Sequence, residues 1–186
     1  MTALYIVLAV VVVVVLWLVA LYNGLVRLNN RAKEGWSDID VQLKRRHDLI
    51  PNLVNSVKGY MTYERELLEN ITKARAGAVS AQEKGNSAEL GKLESQLGNM
   101  LGKLQIAVEA YPDLKANQNV AQLMDELSDT ENKIQASRRF YNGLARDFNT
   151  KIETFPNNLF AEMLKFTKYE FFAAEEGERE NVEVKL

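Results

Sequence analysis

The one histidine of the chain, His47, lies between Arg46 and Asp48, and a histidine beside a carboxylate is the first place to look for general acid–base work. A catalytic dyad also needs a nucleophile or a substrate pocket, and neither is marked by any nearby residue pattern. The plainer assignment makes Asp48 a helix cap and leaves His47 on the surface. With one histidine and no cysteine, a metal site would have to be built mostly from carboxylates. Asp38 and Asp40 are two apart, so on a helix they face different directions. No phosphate-binding loop or dinucleotide fingerprint occurs. The sequence therefore assigns no catalytic residue, no metal ligand and no cofactor. Glu131 and Arg138 are the other chemically loaded pair. They occupy an otherwise inward-facing row of one helix and are two turns apart, too far to pair with each other. Arg45 or Arg46 is the expected partner of Glu131, and Asp40 or Asp48 that of Arg138. Such a polar layer would fix helix register at some cost in stability.

These residues sit on helical periodicity throughout, with no sustained strand alternation. A first long helix is expected through Trp36, Leu43, Ile50 and Val57 and onward to Ile71, with a break near Asp48 because Pro51 follows. Gly77 to Gly91 reads as a turn. A second helix is expected over Ser87 to Tyr111, ended by Pro112. A third, Asn117 to Phe155, carries Val120, Leu127, Ile134, Tyr141, Phe148 and Phe155 at intervals of seven. A short fourth, Leu159 to Phe166, follows Pro156. The third helix outruns the second; the fourth can cover some of the surplus with Leu159, Phe160, Met163 and Leu164, and any remainder would suit another subunit, which points to a homo-oligomer. Tyr22 to Arg27 (YNGLVR) also echoes Tyr141 to Arg146 (YNGLAR), without a longer repeat around either.

Ahead of the bundle, Ala3 to Leu21 contains no charged residue. Its 19 residues would span about 28 Å as a helix, close to a hydrocarbon core. A cleaved signal peptide would bring a basic start and a small-residue cleavage site, and the sequence around Met1-Thr2 and Tyr22-Leu25 offers neither. Residues 27 to 46 carry six basic side chains against three acidic ones. By the positive-inside rule this places the N-terminus outside and the remainder in the cytoplasm. The net charge of −2 gives no case for nucleic acid. The expected organisation is an anchor over 1–24, a helical domain over 25–172 and an acidic, disordered tail over 173–186 with five glutamates.

Two longer blocks carry a resemblance. GWSDIDVQLKRRHDLIPNLVNSVKGY, Gly35 to Tyr60, and RRFYNGLARDFNTKIETFPNNLFA, Arg138 to Ala161, resemble the signatures of the LemA family, and Phe171-Phe172 fits its C-terminal aromatic pair. The resemblance implies a single-pass protein of the bacterial inner membrane with an antiparallel, up-and-down bundle of about four helices, some long and kinked. It supplies no reaction. Through relatives encoded near a membrane zinc metallopeptidase it implies such an enzyme as a partner, and through a magnetosome branch it implies membrane organisation. The residues expected to set register, break geometry and docking are Trp36, Asp40, Arg45, Arg46, Asp48, Pro51 and Asn52 in the first block, then Glu131. In the second block they are Arg138, Tyr141, Asn142, Phe155 and Pro156. The functions that follow are a non-enzymatic membrane scaffold or an adaptor for a membrane protease.

Overall fold

The computed structural model describes residues 1–85 and 87–172. The acidic tail, and with it the expectation of disorder there, lies outside the described residues. Among the described residues the chain is all-α: α1 (Thr2–Val57), α2 (Arg65–Glu83), α3 (Ser87–Val108), α4 (Pro112–Lys115), α5 (Gln118–Glu153) and α6 (Asn157–Met163). The contacts divide into two compact units. One holds Met1–Asp38 with Arg139–Phe171, and the other holds Ile39–Arg138 with Phe172.

The second unit is a helical bundle whose apolar core is built from every helix in it. Ile50, Leu53 and Val57 of α1 meet Leu68 and Ile71 of α2, Leu97 and Leu104 of α3, and Val120 and Leu127 of α5. Within each set the residues are three, four or seven apart, which lines one face of a helix. Gly77, expected in a turn, lies within α2, where a Cβ would come 3.6 Å from the Leu93 side chain of α3. The composition that suggests a turn reflects close helix packing there; among the described residues the chain turns after α2 at Lys84 and Gly85, with Gly85 at φ +67°.

The break expected near Asp48 is absent. α1 runs unbroken through Pro51, and the chain leaves the helix only over residues 58–64. A proline has no N–H for the carbonyl four residues back, which here is that of His47. The Nε of Arg75, on α2, donates to this carbonyl at 3.0 Å. The hydrogen bond that α1 cannot make for itself is thus supplied by its neighbour, so Asp48 sits in mid-helix and caps nothing. At the other proline sites the expectations hold to within a few residues. α3 ends at Val108 and Pro112 opens α4. α5 ends at Glu153, and Pro156 precedes α6, after a cis peptide bond from Phe155.

In the first unit the surplus length of α5 packs on this same chain. Phe148 and Ile152 bury against Leu25 of α1 and Ala161 of α6, with Phe166 and Tyr169 closing the cluster. The short helix after Pro156 thus covers part of that surplus, as expected of it. Gly35 permits the close approach of α1 and α5, since a Cβ there would lie 2.9 Å from the Leu144 side chain. The start of α1 is different. An 18-residue window with a mean hydropathy of 3.2 has none of its residues buried, so this helix is long and apolar enough to cross a membrane and is not a core helix.

Candidate functional site

The chemically loaded side chains converge in the second unit as a buried polar layer. Arg46 and His47, one residue apart on α1, meet Glu94 on α3, and all three are at most 3% exposed. Arg46 Nη1 donates to Glu94 Oε2 at 3.2 Å, and His47 Nε2 lies 2.6 Å from Glu94 Oε1. With both carboxylate oxygens accepting, the histidine tautomer assigned by this partner carries its proton on Nε2. Arg46 Nη2 also approaches Glu131 Oε2 of α5 at 2.7 Å. That approach is an ion pair lying off the N–H hydrogen-bonding direction, and Arg46 Nε has no hydrogen-bond acceptor. One guanidinium thus joins three helices through two carboxylates. The expected pairing of Glu131 with Arg46 is present. The surface role expected for His47 is not: the ring is buried and held by Glu94.

Glu94 is the residue that the sequence reading passed over. It lies four after Leu90 and three before Leu97, both fully buried on α3, and a charge inserted in such a stripe was the available signal. Nearby, Glu131 borders a cavity of about 160 Å³ between α1, α3 and α5, lined also by Leu53, Gly98, Met124 and Leu127. No histidine faces it. Among the described residues no group of three or more His, Cys, Asp or Glu side chains could hold a metal ion.

The remaining residues of the first block serve helix contacts. Asp40 Oδ1 accepts from Gln82 Nε2 of α2 at 3.1 Å. Arg45 is 44% exposed and pairs loosely with Glu126 and Asp129 of α5, at 3.8 and 3.9 Å. Lys133, 2.7 Å from Asp129, holds that carboxyl below its ordinary value, with Arg45 adding to the effect. Arg45 and Arg46 are therefore not equivalent, since only Arg45 offers its charge to solvent. Asn52 Nδ2 donates to the Asp48 carbonyl at 3.3 Å, a contact within α1.

The second block builds an aromatic clamp in the first unit. Trp36 meets Tyr141 edge to face at 5.1 Å between ring centroids. Tyr141 in turn meets Tyr169 edge to face, and Tyr169 meets Phe148 in the same way. The side-chain amide of Asn149 pairs with the backbone of Tyr169 in both directions, at 2.9 Å each, as a neighbouring strand would. Tyr141 donates to the Glu170 carbonyl at 2.9 Å, and the Tyr169 hydroxyl donates to Asn29 Oδ1 at 2.8 Å. Burial, with Tyr169 and Glu170 adjacent, pushes the Tyr141 hydroxyl up to about 12, and burial raises Tyr169 as well. Asn142 is half-buried on α5. Phe155 lies beyond the end of α5 and is 74% exposed, so the row of sevens stops at Phe148. In the second unit, Arg138 lies over the Phe172 ring at 5.2 Å. The YNGL echo has no shared role: Tyr22 is exposed, Tyr141 is buried, and a Cβ on Gly24 or Gly143 would meet nothing.

Both blocks thus serve to hold helices together, and both fall inside the region matched by a known family. The sequence profile of the LemA family matches residues 35–186. The chain belongs to the LemA family. Protein LemA of Metamycoplasma hominis is 35% identical over 162 residues, covering 87% of this chain and 73% of the relative. Magnetosome protein MamQ of Magnetospirillum gryphiswaldense and Magnetosome protein MamQ 1 of Paramagnetospirillum magneticum are each 25% identical over 174 residues, or 81% of this chain. The alignment spans 64% of the length of those magnetosome proteins. In this LemA-family chain the two blocks supply Arg46 and His47 to the polar layer, Pro51 to the bypass, and Trp36, Tyr141, Phe148 and Asn149 to the aromatic clamp.

Proposed function

We propose that this LemA-family protein is a non-enzymatic, membrane-anchored helical scaffold, with residues 1–24 as a single-pass anchor in the bacterial inner membrane. Residues 25–172 form its cytoplasmic part, which self-assembles or docks other proteins. The observation that carries this reading is the fate of the chain's chemically active side chains. His47, Arg46, Glu94 and Glu131 are spent on one another across three helices, and His47 is not among the residues that line the cavity beside Glu131. A layer of that kind fixes helix register and stiffens a surface. The helix that contributes it, α1, is also the helix that contains the apolar run.

Crosslinking in native membranes tests the reading, because the chain has no cysteine to interfere. Single cysteines at Ser37, Asn55 and Ile106 occupy exposed positions, whereas Asn149 is committed to the clamp. The expected result is adducts of defined mass at one or more of these positions. A ladder of this chain alone assigns self-assembly. A single heterologous adduct, with a membrane metallopeptidase foremost among the partners to look for, assigns the adaptor role. No adduct at any position overturns both.

A further inference from the structure

α6 is a seven-residue helix whose outer surface is apolar in the wrong place for water. Successive residues of a helix turn by about 100°. Asn157 and Ala161 face inward and are buried, while Leu159 and Met163 face outward and are 62% and 70% exposed. Phe160 and Leu164 lie between these two faces, so the apolar arc runs continuously from the core to the outside. Asn158 and Glu162 form the opposite, polar edge. The apolar arc borders α1 at the end of its uncharged run. Phe160 meets Trp17 edge to face at 6.3 Å between centroids. Leu18, Tyr22, Met163 and Leu164 help line a groove of about 320 Å³ between the two helices, almost wholly apolar.

The level of this contact along α1 is informative. Residues 1–17 are exposed, Leu18 and Leu21 are half-covered, and Leu25 is fully buried. The protein thus begins to cover α1 within the last turns of the run that ends at Leu21. Trp17 lies four residues before that end, about 6 Å at the helical rise. Amphipathic helices that rest in a membrane surface bury their apolar faces by about 5 to 10 Å. We infer that α6 is an interfacial helix, with Leu159 and Met163 immersed in the acyl–headgroup boundary beside α1 and the groove between them occupied by a lipid chain. The occupant follows from continuity: the exposed arc is the lateral extension of a helix face already suited to lipid. Asn158 and Glu162, on the opposite edge, then point out of that layer to water. The inference rests on the membrane anchor proposed above.

Spin labels on single introduced cysteines in the full-length protein, reconstituted in vesicles of phosphatidylethanolamine and phosphatidylglycerol, test it. Labels at Leu159, Met163, Asn158, Val11 and Lys73 are compared for collision with oxygen, which partitions into lipid, and with a water-soluble nickel chelate. All five side chains are exposed, so labelling leaves the packing intact. The expected oxygen-to-nickel ratio at 159 and 163 is severalfold above that at 158 and 73 and approaches that at 11. Aqueous behaviour at 159 and 163 with a lipid signal at 11 overturns the inference and leaves the anchor standing. Shielding of 159 and 163 from both reagents also overturns it, since protein rather than lipid would then cover the arc. An aqueous signal at 11 removes the anchor reading, and the inference with it.

Discussion

At the scale of single residues, Glu94 carries more than its share. It is the carboxylate that both Arg46 and His47 face, and all three are buried. Replacing Glu94 with alanine strands a guanidinium and an imidazole, and breaking a buried pair from one side costs about 3–5 kcal/mol. Replacing the pair together, Arg46→Met with Glu94→Gln, removes both buried charges, keeps the volume and leaves an amide oxygen for His47, so it is expected to cost much less than the alanine variant. Urea unfolding of the full chain in detergent, followed by circular dichroism, measures both. Equal losses would show that packing, not charge pairing, dominates the layer. Tyr141 makes a second residue-scale prediction. Its hydroxyl is raised from 10.0 to about 12 in the folded chain. A raised folded value means that the stabilisation is complete below pH 10 and is lost as the pH climbs towards 12. Tyr111, raised to about 12 by its hydrogen bond to Glu64, adds to the trend. Thermal unfolding across that window should fall more steeply for the native chain than for Tyr141→Phe, and absorbance titration should show these tyrosines ionising after the exposed ones.

At the scale of elements, the proline bypass makes a sharper prediction. Arg75→Ala deprives the His47 carbonyl of its donor, and a hydrogen bond from a charged group contributes about 1.5–3 kcal/mol. Pro51→Ala restores the helix's own N–H to that carbonyl. In the Pro51→Ala background the Arg75→Ala change should therefore cost little, and a double-mutant cycle on unfolding free energies should show that non-additivity. An additive cycle would mean that Arg75 acts through packing alone. The same pair explains what could be read in advance. The ends of α3 and α5 were legible because prolines and the loss of apolar periodicity mark them locally. The continuity of α1 was not, because the group that permits it lies 28 residues from the carbonyl it serves. Gly77 misled for a related reason, since its role depends on Leu93 across the helix pair. Of the site, the Arg46–Glu131 contact was legible from two charges on inward rows. The clamp was not: Asn149, Tyr169 and Asn29 meet across long stretches of chain, and nothing in their local spacing announces it.

At the scale of the whole molecule, the distribution of charge determines more than its sum. A net charge of −2 says little, but the first basic residue after the apolar run is Arg27, and five more follow by Arg46. Met1 and Thr2, before the run, carry no basic side chain. Transmembrane segments are oriented by such an imbalance within the first 15–20 or so flanking residues, and carboxylates weigh little in it. Arg27, Arg31 and Lys33 are the exposed basic side chains nearest the run, so they are the ones expected to orient the proposed anchor. A cysteine at Thr2 should react with a membrane-impermeant maleimide in cells whose inner membrane is intact, while one at Ser37 should react only after that membrane is opened. Replacing Arg27, Arg31 and Lys33 with glutamine and adding lysines ahead of Ala3 should shift a fraction of the chains to the reverse pattern. Reaction at Ser37 in intact cells, before any such change, would place the bundle outside and end the cytoplasmic scaffold reading.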